Sequence, residues 1–126
     1  MTRKEFEELV FDSYGIKGDY PFDKDLETAV FRHQDNKKWF ALAMRIPERK
    51  LGRKSDKIID VVNLKCDPEI IFSLWQDEGI FPAYHMNKNH WITVCLDGSV
   101  SKKTVAWLTD ISFSLTSKKI SKKATK

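Results

Sequence analysis

Residues 82–98 contain the side chains of this sequence best suited to chemistry or binding. The stretch reads PAYHMNKNHWITVCLDG and places two histidines, two asparagines, a lysine and two large aromatic residues within residues 84–91. These groups destabilise a fold unless each is satisfied or used. From residue 91 the side chains alternate with the period of a strand, which holds the far end of the loop. The candidate ligand contacts are Tyr84, His85, Asn87, Lys88, Asn89, His90 and Trp91.

The 82–91 loop has three interpretations from its residue types. In a structural role, Tyr84 and Trp91 would pack as amphipathic side chains, and the asparagines would make local turn hydrogen bonds. In a role in ligand or nucleic-acid contact, Lys88 would supply charge, Asn87 and Asn89 directional hydrogen bonds, and the aromatic rings stacking surface. Catalysis is the third interpretation, since exposed polar loops often carry active residues.

The histidines and cysteines do not form a recognisable metal or nucleophile motif. His85 and His90 are five residues apart, but no Cys-x-x-Cys pair accompanies them, so we predict no zinc site. Cys66 and Cys95 lie among apolar residues and are expected to be reduced, buried and inert. The sequence has no G-x-S-x-G, glycine-rich phosphate loop or H-E-x-x-H motif. We therefore predict no enzyme, no cofactor and no metal centre.

A second group of candidate residues lies in the basic segment 47–57. Its basic residues are Arg49, Lys50, Arg53, Lys54 and Lys57, against two acids. As a hairpin loop between two strands, the segment is a candidate basic wing that contacts phosphates without reading sequence. The alternative is a solvated hairpin tip. With Lys88, these residues are the predicted nucleic-acid contacts.

Three helices position these segments. The first begins at about residue 3, after a capping box at Thr2, and stops at Gly15. Asp67 is expected to cap a second helix that ends at Gly79, and Ser101 to cap a third.

The strands are expected at residues 28–33, 38–46, 57–65 and about 90–96, because apolar residues alternate or cluster there. The sequence thus predicts an α+β fold: an antiparallel sheet with flanking helices, in the order α-β-β-β-α-β-α. Eight side chains are expected to be largely buried: Phe6, Leu9, Phe40, Leu42, Val61, Trp75, Val94 and Leu108.

Length and charge narrow the class of protein. At 126 residues the chain is expected to form one domain over residues 1–116, followed by a basic, disordered tail over residues 117–126. That tail holds five lysines and no acid, so taking its charge from the net charge of +4 leaves −1 on residues 1–116, and the expected domain is near neutral. No apolar stretch approaches the ~20 residues that cross a bilayer, so a cytoplasmic protein without a membrane partner is expected.

Three segments in order resemble the MmcQ/YjbR family of small bacterial proteins. They are Asn63–Glu69, Pro82–Trp91 and Leu96–Val100, and the resemblance extends over roughly residues 2–116. It implies a frataxin-like (CyaY-like) α+β fold and DNA binding of the double-wing type, and no reaction is attached to the family. Because function resides in sites rather than folds, the resemblance implies more about fold than about activity.

The sequence therefore leads to one principal functional expectation and two alternatives. The principal one is a non-enzymatic protein that binds duplex DNA weakly, mainly through phosphates. The first alternative is a module that binds a small molecule or a protein through the 82–91 loop. The second is a frataxin-like metal binder that uses the carboxylates of the first helix, Glu5, Glu7, Glu8 and Asp12.

Overall fold

The computed structural model describes residues 1–118. The predicted tail therefore lies outside the described residues from position 119 onward, and only Ser117 and Lys118 of it are seen. The elements, in chain order, are α1 (Arg3–Tyr14), β1 (Ala29–Arg32), β2 (Trp39–Pro47), a 3₁₀ helix (Glu48–Leu51), β3 (Ile58–Lys65), α2 (Pro68–Leu74), β4 (Ile80–Pro82), β5 (Trp91–Cys95) and α3 (Lys102–Thr116).

The predicted α+β class is confirmed, and the predicted order needs one additional strand. Strand β4 has three residues, too few to show alternation in the sequence, and it pairs antiparallel with β5 from Ile80–Val94 to Pro82–Ile92. Because of β4, the 82–91 segment connects two strands rather than a helix and a strand.

The helices begin where their capping residues predict. The Thr2 side chain accepts a hydrogen bond from the Glu5 amide, and the Glu5 carboxylate accepts one from the Thr2 amide. Asp67 caps α2, with Pro68 at its first position, and the Ser101 side chain accepts from the Thr104 amide.

The predicted end of α2 is wrong. The helix stops at Leu74, and a turn then leads to Gly79. Gly79 has φ +85°, and a Cβ there would clash with the Ser99 side chain. The glycine is thus required by a positive φ and a close approach, rather than by the end of the helix.

All strand pairs in the five-stranded sheet are antiparallel, and its order is β1-β2-β3-β5-β4. Strand β3 pairs with β2 from Pro47–Ile58 to Ala41–Leu64, and with β5 up to Lys65–Trp91. The 48–57 hairpin and the 83–90 loop therefore lie at opposite ends of β3.

One face of the sheet is covered by helices. Ala41 and Ala43 of β2 are fully buried on this face and belong to the same core as the apolar residues of α1 and α3. The Ser112 hydroxyl of α3 donates to the Phe40 carbonyl and accepts from the Lys65 amide, which ties the helix to β2 and β3. Small residues on β2 allow α3 to approach closely enough for both hydrogen bonds.

The other face, called here the second face, is covered by connecting segments. Its apolar cluster includes Leu42, Met44 and Ile46 of β2, with Tyr84 and Met86 of the 83–90 loop packed against it. These β2 side chains keep 9%, 7% and 6% of their surface exposed, whereas Ala41 and Ala43 on the helix-covered face keep none. The second face is thus the less completely covered of the two.

The predicted core is mostly confirmed: Phe6, Phe40, Leu42, Val61, Val94 and Leu108 are buried, whereas Leu9 and Trp75 are only partly buried. Each of the three helices within residues 1–118 is too short or too polar to cross a membrane.

A buried histidine joins the β1–β2 turn to the end of α3. His33 is 5% exposed and packs against Phe40 and Phe113, with Nε2 2.8 Å from the Thr116 hydroxyl oxygen. That hydroxyl donates to the Ser112 carbonyl, so Nε2 donates to it. Burial lowers the pKa of His33, and nearby Asp35 offsets part of this effect while Lys38 adds to it.

We expect the free energy of unfolding to fall as the pH decreases below about 6.5, the pKa of an unfolded histidine. Below this pH the His33 imidazole is protonated in the unfolded chain but remains neutral in the folded chain. Each further pH unit therefore lowers the free energy of unfolding by up to about 1.4 kcal/mol. Urea unfolding at pH 7.5 and 5.5 measures the loss, and His33→Phe should remove most of it. The exposed His90→Gln variant is the control and should keep the wild-type pH dependence. An unchanged pH dependence in His33→Phe would contradict the assignment.

Candidate functional site

The two arginines of the 48–57 hairpin are held in ion pairs. Arg49 Nε lies 2.6 Å from Asp56 Oδ1, within the hairpin. Arg53 donates to Asp97 Oδ2 at 2.8 Å, lies 4.0 Å from Glu48 and stacks near the Phe81 ring. Both guanidinium groups thus already have carboxylate partners, which reduces their availability to phosphate.

The Arg53–Asp97 pair is partly buried, and the pKa of both groups reflects it. Burial alone would raise the pKa of Asp97, but hydrogen bonds from Arg53 and Ser99 outweigh it and hold this pKa at about 2. The hydrogen bond to Asp97 raises the pKa of Arg53. The pair is therefore fully charged at neutral pH.

The lysines of the predicted DNA surface differ from the arginines. Lys50, Lys54, Lys57 and Lys88 are all exposed, and none forms an ion pair within residues 1–118. Of the chain's 22 basic residues, four lysines follow Lys118, and the remainder equal the 18 acidic residues in number. The described part of the chain is thus neutral, with unpaired positive charge at these four exposed lysines.

The 83–90 loop is attached to the second face through two buried polar side chains. Asn63 of β3 and Thr93 of β5 are directly opposite each other and fully buried. The Thr93 hydroxyl donates to Asn63 Oδ1 at 2.5 Å and accepts from the Tyr84 amide at 2.9 Å, while Asn63 Nδ2 donates to the Tyr84 carbonyl at 2.8 Å. The peptide groups of Tyr84 are thereby fixed on the sheet.

Beyond Tyr84 the loop turns back toward β5. Asn87 accepts hydrogen bonds at its side chain from the Asn89 amide, and at its carbonyl from the His90 and Trp91 amides. These are the local turn hydrogen bonds that were expected of the asparagines if the loop has a structural role. The side chains of Asn87, Lys88, Asn89 and His90 point outward and are exposed, and Trp91 is partly buried.

His85 has an uncommon backbone conformation at the point where the loop leaves the sheet. Its φ is +60°, in the left-handed region that L residues rarely adopt. Its imidazole lies over the Tyr84 ring with 3.9 Å between centroids, and the residue is exposed. The turn therefore holds the imidazole against the loop.

An apolar groove of about 650 Å³ lies beside His85 on the second face. We call it the β2 groove, after the strand that supplies Leu42, Met44 and Ile46 to its floor. One wall is Phe22, Lys24, Asp25, Thr28 and Trp39, and the other is Tyr84, His85 and Met86. Its volume lies within the roughly 300–1,000 Å³ of small-molecule sites.

Two of the seven predicted loop contacts, Tyr84 and His85, line the β2 groove, and the other five do not. Asn63 and Thr93, which position the loop, are not among the residues predicted from the sequence. A polar residue within the apolar segment 58–64 was the available signal for Asn63. No sequence signal places Phe22 and Lys24 opposite His85, since 60 residues lie between Lys24 and His85 in the chain.

The described residues do not assemble a metal site. Within residues 1–118, no three His, Cys, Asp or Glu side chains converge as metal ligands. On α1, Glu5 is bound by Lys102 and the Thr2 amide, and Glu7 lies 3.4 Å from Arg3. Burial raises the pKa of the Cys66 thiol, and that of Cys95 to about 11, so both are unreactive at neutral pH.

We expect Thr93→Val to reduce the free energy of unfolding by about 1–3 kcal/mol, because it leaves the Tyr84 backbone amide and the side-chain oxygen Oδ1 of Asn63 without these partners. Thr109→Val is the matched control, since the buried Thr109 hydroxyl bonds only to a carbonyl of its own helix. Urea unfolding should show a clearly smaller loss for the control. Equal losses would mean that the Thr93 hydroxyl has no special role.

The chain is similar to proteins from several bacteria. A family model described as YjbR matches residues 12–115. YyaQ of Bacillus subtilis (strain 168) is 40% identical over 116 residues, which cover 92% of this chain and 98% of that protein. YjbR of Escherichia coli (strain K12) is 42% identical over 53 residues, covering 41% of this chain and 45% of that protein.

Two solved structures share the fold over nearly the whole chain. A crystal structure of a Pseudomonas syringae protein has a TM-score of 0.91 and 48% identity, and covers 93% of this chain and 100% of its own. A crystal structure of a Deinococcus radiodurans protein has a TM-score of 0.72 and 30% identity, and covers 97% and 83%. With the match to the family model, these similarities show that the chain belongs to the YjbR family.

Proposed function

We propose that this chain is a non-enzymatic DNA-binding protein that contacts duplex DNA through lysine–phosphate interactions. The observation that supports the proposal is the separation of basic residues into two groups. Arg49 and Arg53 are held by carboxylates, whereas the exposed lysines at positions 50, 54, 57 and 88 have no ion-pair partner within residues 1–118. Lysines of this kind exchange their counterions for phosphate at little structural cost.

The exposed lysines lie at the two ends of β3: Lys50, Lys54 and Lys57 in the hairpin at one end, and Lys88 in the 83–90 loop at the other. The hairpin precedes Ile58, and the turn that carries Lys88 precedes Trp91, the partner of Lys65. Seven residue steps along a strand span roughly 23 Å. This is shorter than one turn of duplex DNA, about 34 Å, so the hairpin lysines and Lys88 are close enough together for a single duplex to reach both.

The binding is expected to be weak and largely independent of sequence. Phosphate contacts position a protein without reading bases, and the neutral described part of the chain provides no long-range attraction to DNA. Lysines 119, 122, 123 and 126, outside the described residues, add positive charge that would increase the salt dependence.

Replacing Lys50, Lys54 and Lys57 together by Gln should reduce the slope of log K against log salt by up to about 2.7. Each lost phosphate contact contributes roughly 0.9 to that slope. Titration of a labelled duplex at several salt concentrations, followed by fluorescence anisotropy, measures it.

The matched control replaces Lys4, Lys17 and Lys103 by Gln, which removes the same charge from exposed positions on or beside α1 and α3. Its slope should remain close to wild type. If the two triple variants lose the same slope, net charge rather than the hairpin governs binding. Tight, salt-independent binding to one sequence would refute a phosphate-directed mode.

Binding of a small molecule in the β2 groove is the second candidate function. The observation that favours it is a concave apolar site beside His85, a residue in the left-handed backbone conformation. Such conformations recur at ligand sites, where the surrounding structure maintains them. The metal-binding alternative has no comparable support in the described residues.

A further inference from the structure

We propose that the β2 groove binds an amphiphilic anion, an aliphatic or aryl carboxylate whose apolar body lies on β2 and whose head group lies near Lys24 and His85. The inference rests on the second function proposed above and adds the chemical class of the ligand. It is based on the combination of an apolar floor with charged groups on the walls of the same groove.

The floor offers apolar surface and no hydrogen bonds. Leu42, Met44 and Ile46 line it, and each retains some exposed surface. Strand β2 lies between β1 and β3, so its backbone groups are already engaged on both edges. A peptide backbone laid on this floor would bury its own N–H and C=O groups without partners, whereas methylene groups or an aromatic ring bury only apolar surface.

Aromatic rings form both walls. Phe22 and Trp39 pack edge to face, with centroids 6.1 Å apart, on one side. On the other side the rings of Tyr84 and His85 contact each other at an interplanar angle of 36°, and hydrogen bonds with Asn63 and Thr93 fix the Tyr84 backbone. Rings that pack on one another resist collapse into the groove, so it is suited to a flat or narrow apolar body.

Two of the three charged residues that line the groove are occupied by other groups. Asp25 accepts at Oδ1 from the Glu27 and Thr28 amides and at Oδ2 from the Thr28 hydroxyl. Arg45 lies 3.7 Å from Glu27 and 3.4 Å from Asp60, so its charge is compensated. The charges of both residues are thus compensated within the protein, which weakens their attraction for a charged ligand.

Lys24 is the remaining charged residue, and it forms no ion pair within residues 1–118. His85, on the opposite wall, has a ring N–H group that can donate. With the Asp25 carboxylate occupied, the available groups at the groove favour an anionic head over a neutral one and disfavour a cation. An exposed ion pair of this kind contributes about 0.2–1 kcal/mol.

Three probes with the same ten-carbon chain test the proposal: decanoate, decanol and decyltrimethylammonium, each below its micelle-forming concentration. The full chain is labelled at its methionine methyl groups. It contains three methionines, of which Met44 and Met86 line the groove and Met1 does not. Titrations followed by methyl NMR should shift the Met44 and Met86 signals and leave Met1 unchanged. Decanoate should bind about 1.4- to 5-fold more tightly than decanol, and the cation more weakly than decanol.

The variant Lys24→Gln should reduce the affinity for decanoate to that for decanol and leave decanol binding unchanged. Lys37→Gln, an exposed lysine outside the groove, is the matched control and should retain the preference. Equal affinity for all three probes would overturn the inference about charge while supporting a ligand site. If no probe shifts Met44 or Met86, both this inference and the small-molecule function fail. Neither result bears on DNA binding, which uses other residues.

Discussion

The arrangement of the second face depends on the Asn63 side chain. An amide buried in the middle of a sheet is costly unless it is satisfied, and here Thr93 and the Tyr84 carbonyl satisfy its oxygen and one of its N–H groups. Since the Tyr84 carbonyl belongs to the 83–90 loop, satisfying the amide requires the loop to lie on the sheet. The loop then forms one wall of the β2 groove, and the groove would be open surface without it.

In the hairpin, arginine side chains form ion pairs while lysine side chains remain in solvent, and this difference follows from the chemistry of the two residues. The planar guanidinium of Arg53 bridges the hairpin and the end of β5 through Glu48 and Asp97, a geometry that a lysine reproduces poorly. The hairpin lysines are solvated and remain available. The basic character of residues 47–57 in the sequence therefore overstates the charge that the folded hairpin presents, which is why the DNA contact that we propose involves lysines alone.

Much of the fold could be predicted because its signals are local. The capping residues Thr2, Asp67 and Ser101 set where helices begin, and alternation marked the longer strands. Strand β4 was missed because its three residues are stabilised by pairing with β5 rather than by their own pattern. The CyaY-like resemblance remains an expectation from the family.

The site was harder to predict, since it depends on contacts between distant parts of the chain. Arg53 and Asp97 are 44 residues apart, and Asn63 and Thr93 are 30 apart, so neither pairing has a local signature. The loop was recognised from its composition, but two of its seven candidate residues line the groove. Composition identified an unusual segment, and only the register of β3 against β5 determined which of its side chains face the sheet.

Hydrogen exchange at the Tyr84 amide most directly tests whether Asn63 and Thr93 hold the loop on the second face. This amide donates to the buried Thr93 hydroxyl. The account predicts that it exchanges nearly as slowly as the amides of the central strand β3, and far more slowly than the amide of exposed Lys88 in the same loop. If the Tyr84 amide exchanges as fast as that of Lys88, the loop is not held on the sheet and the β2 groove has no permanent second wall.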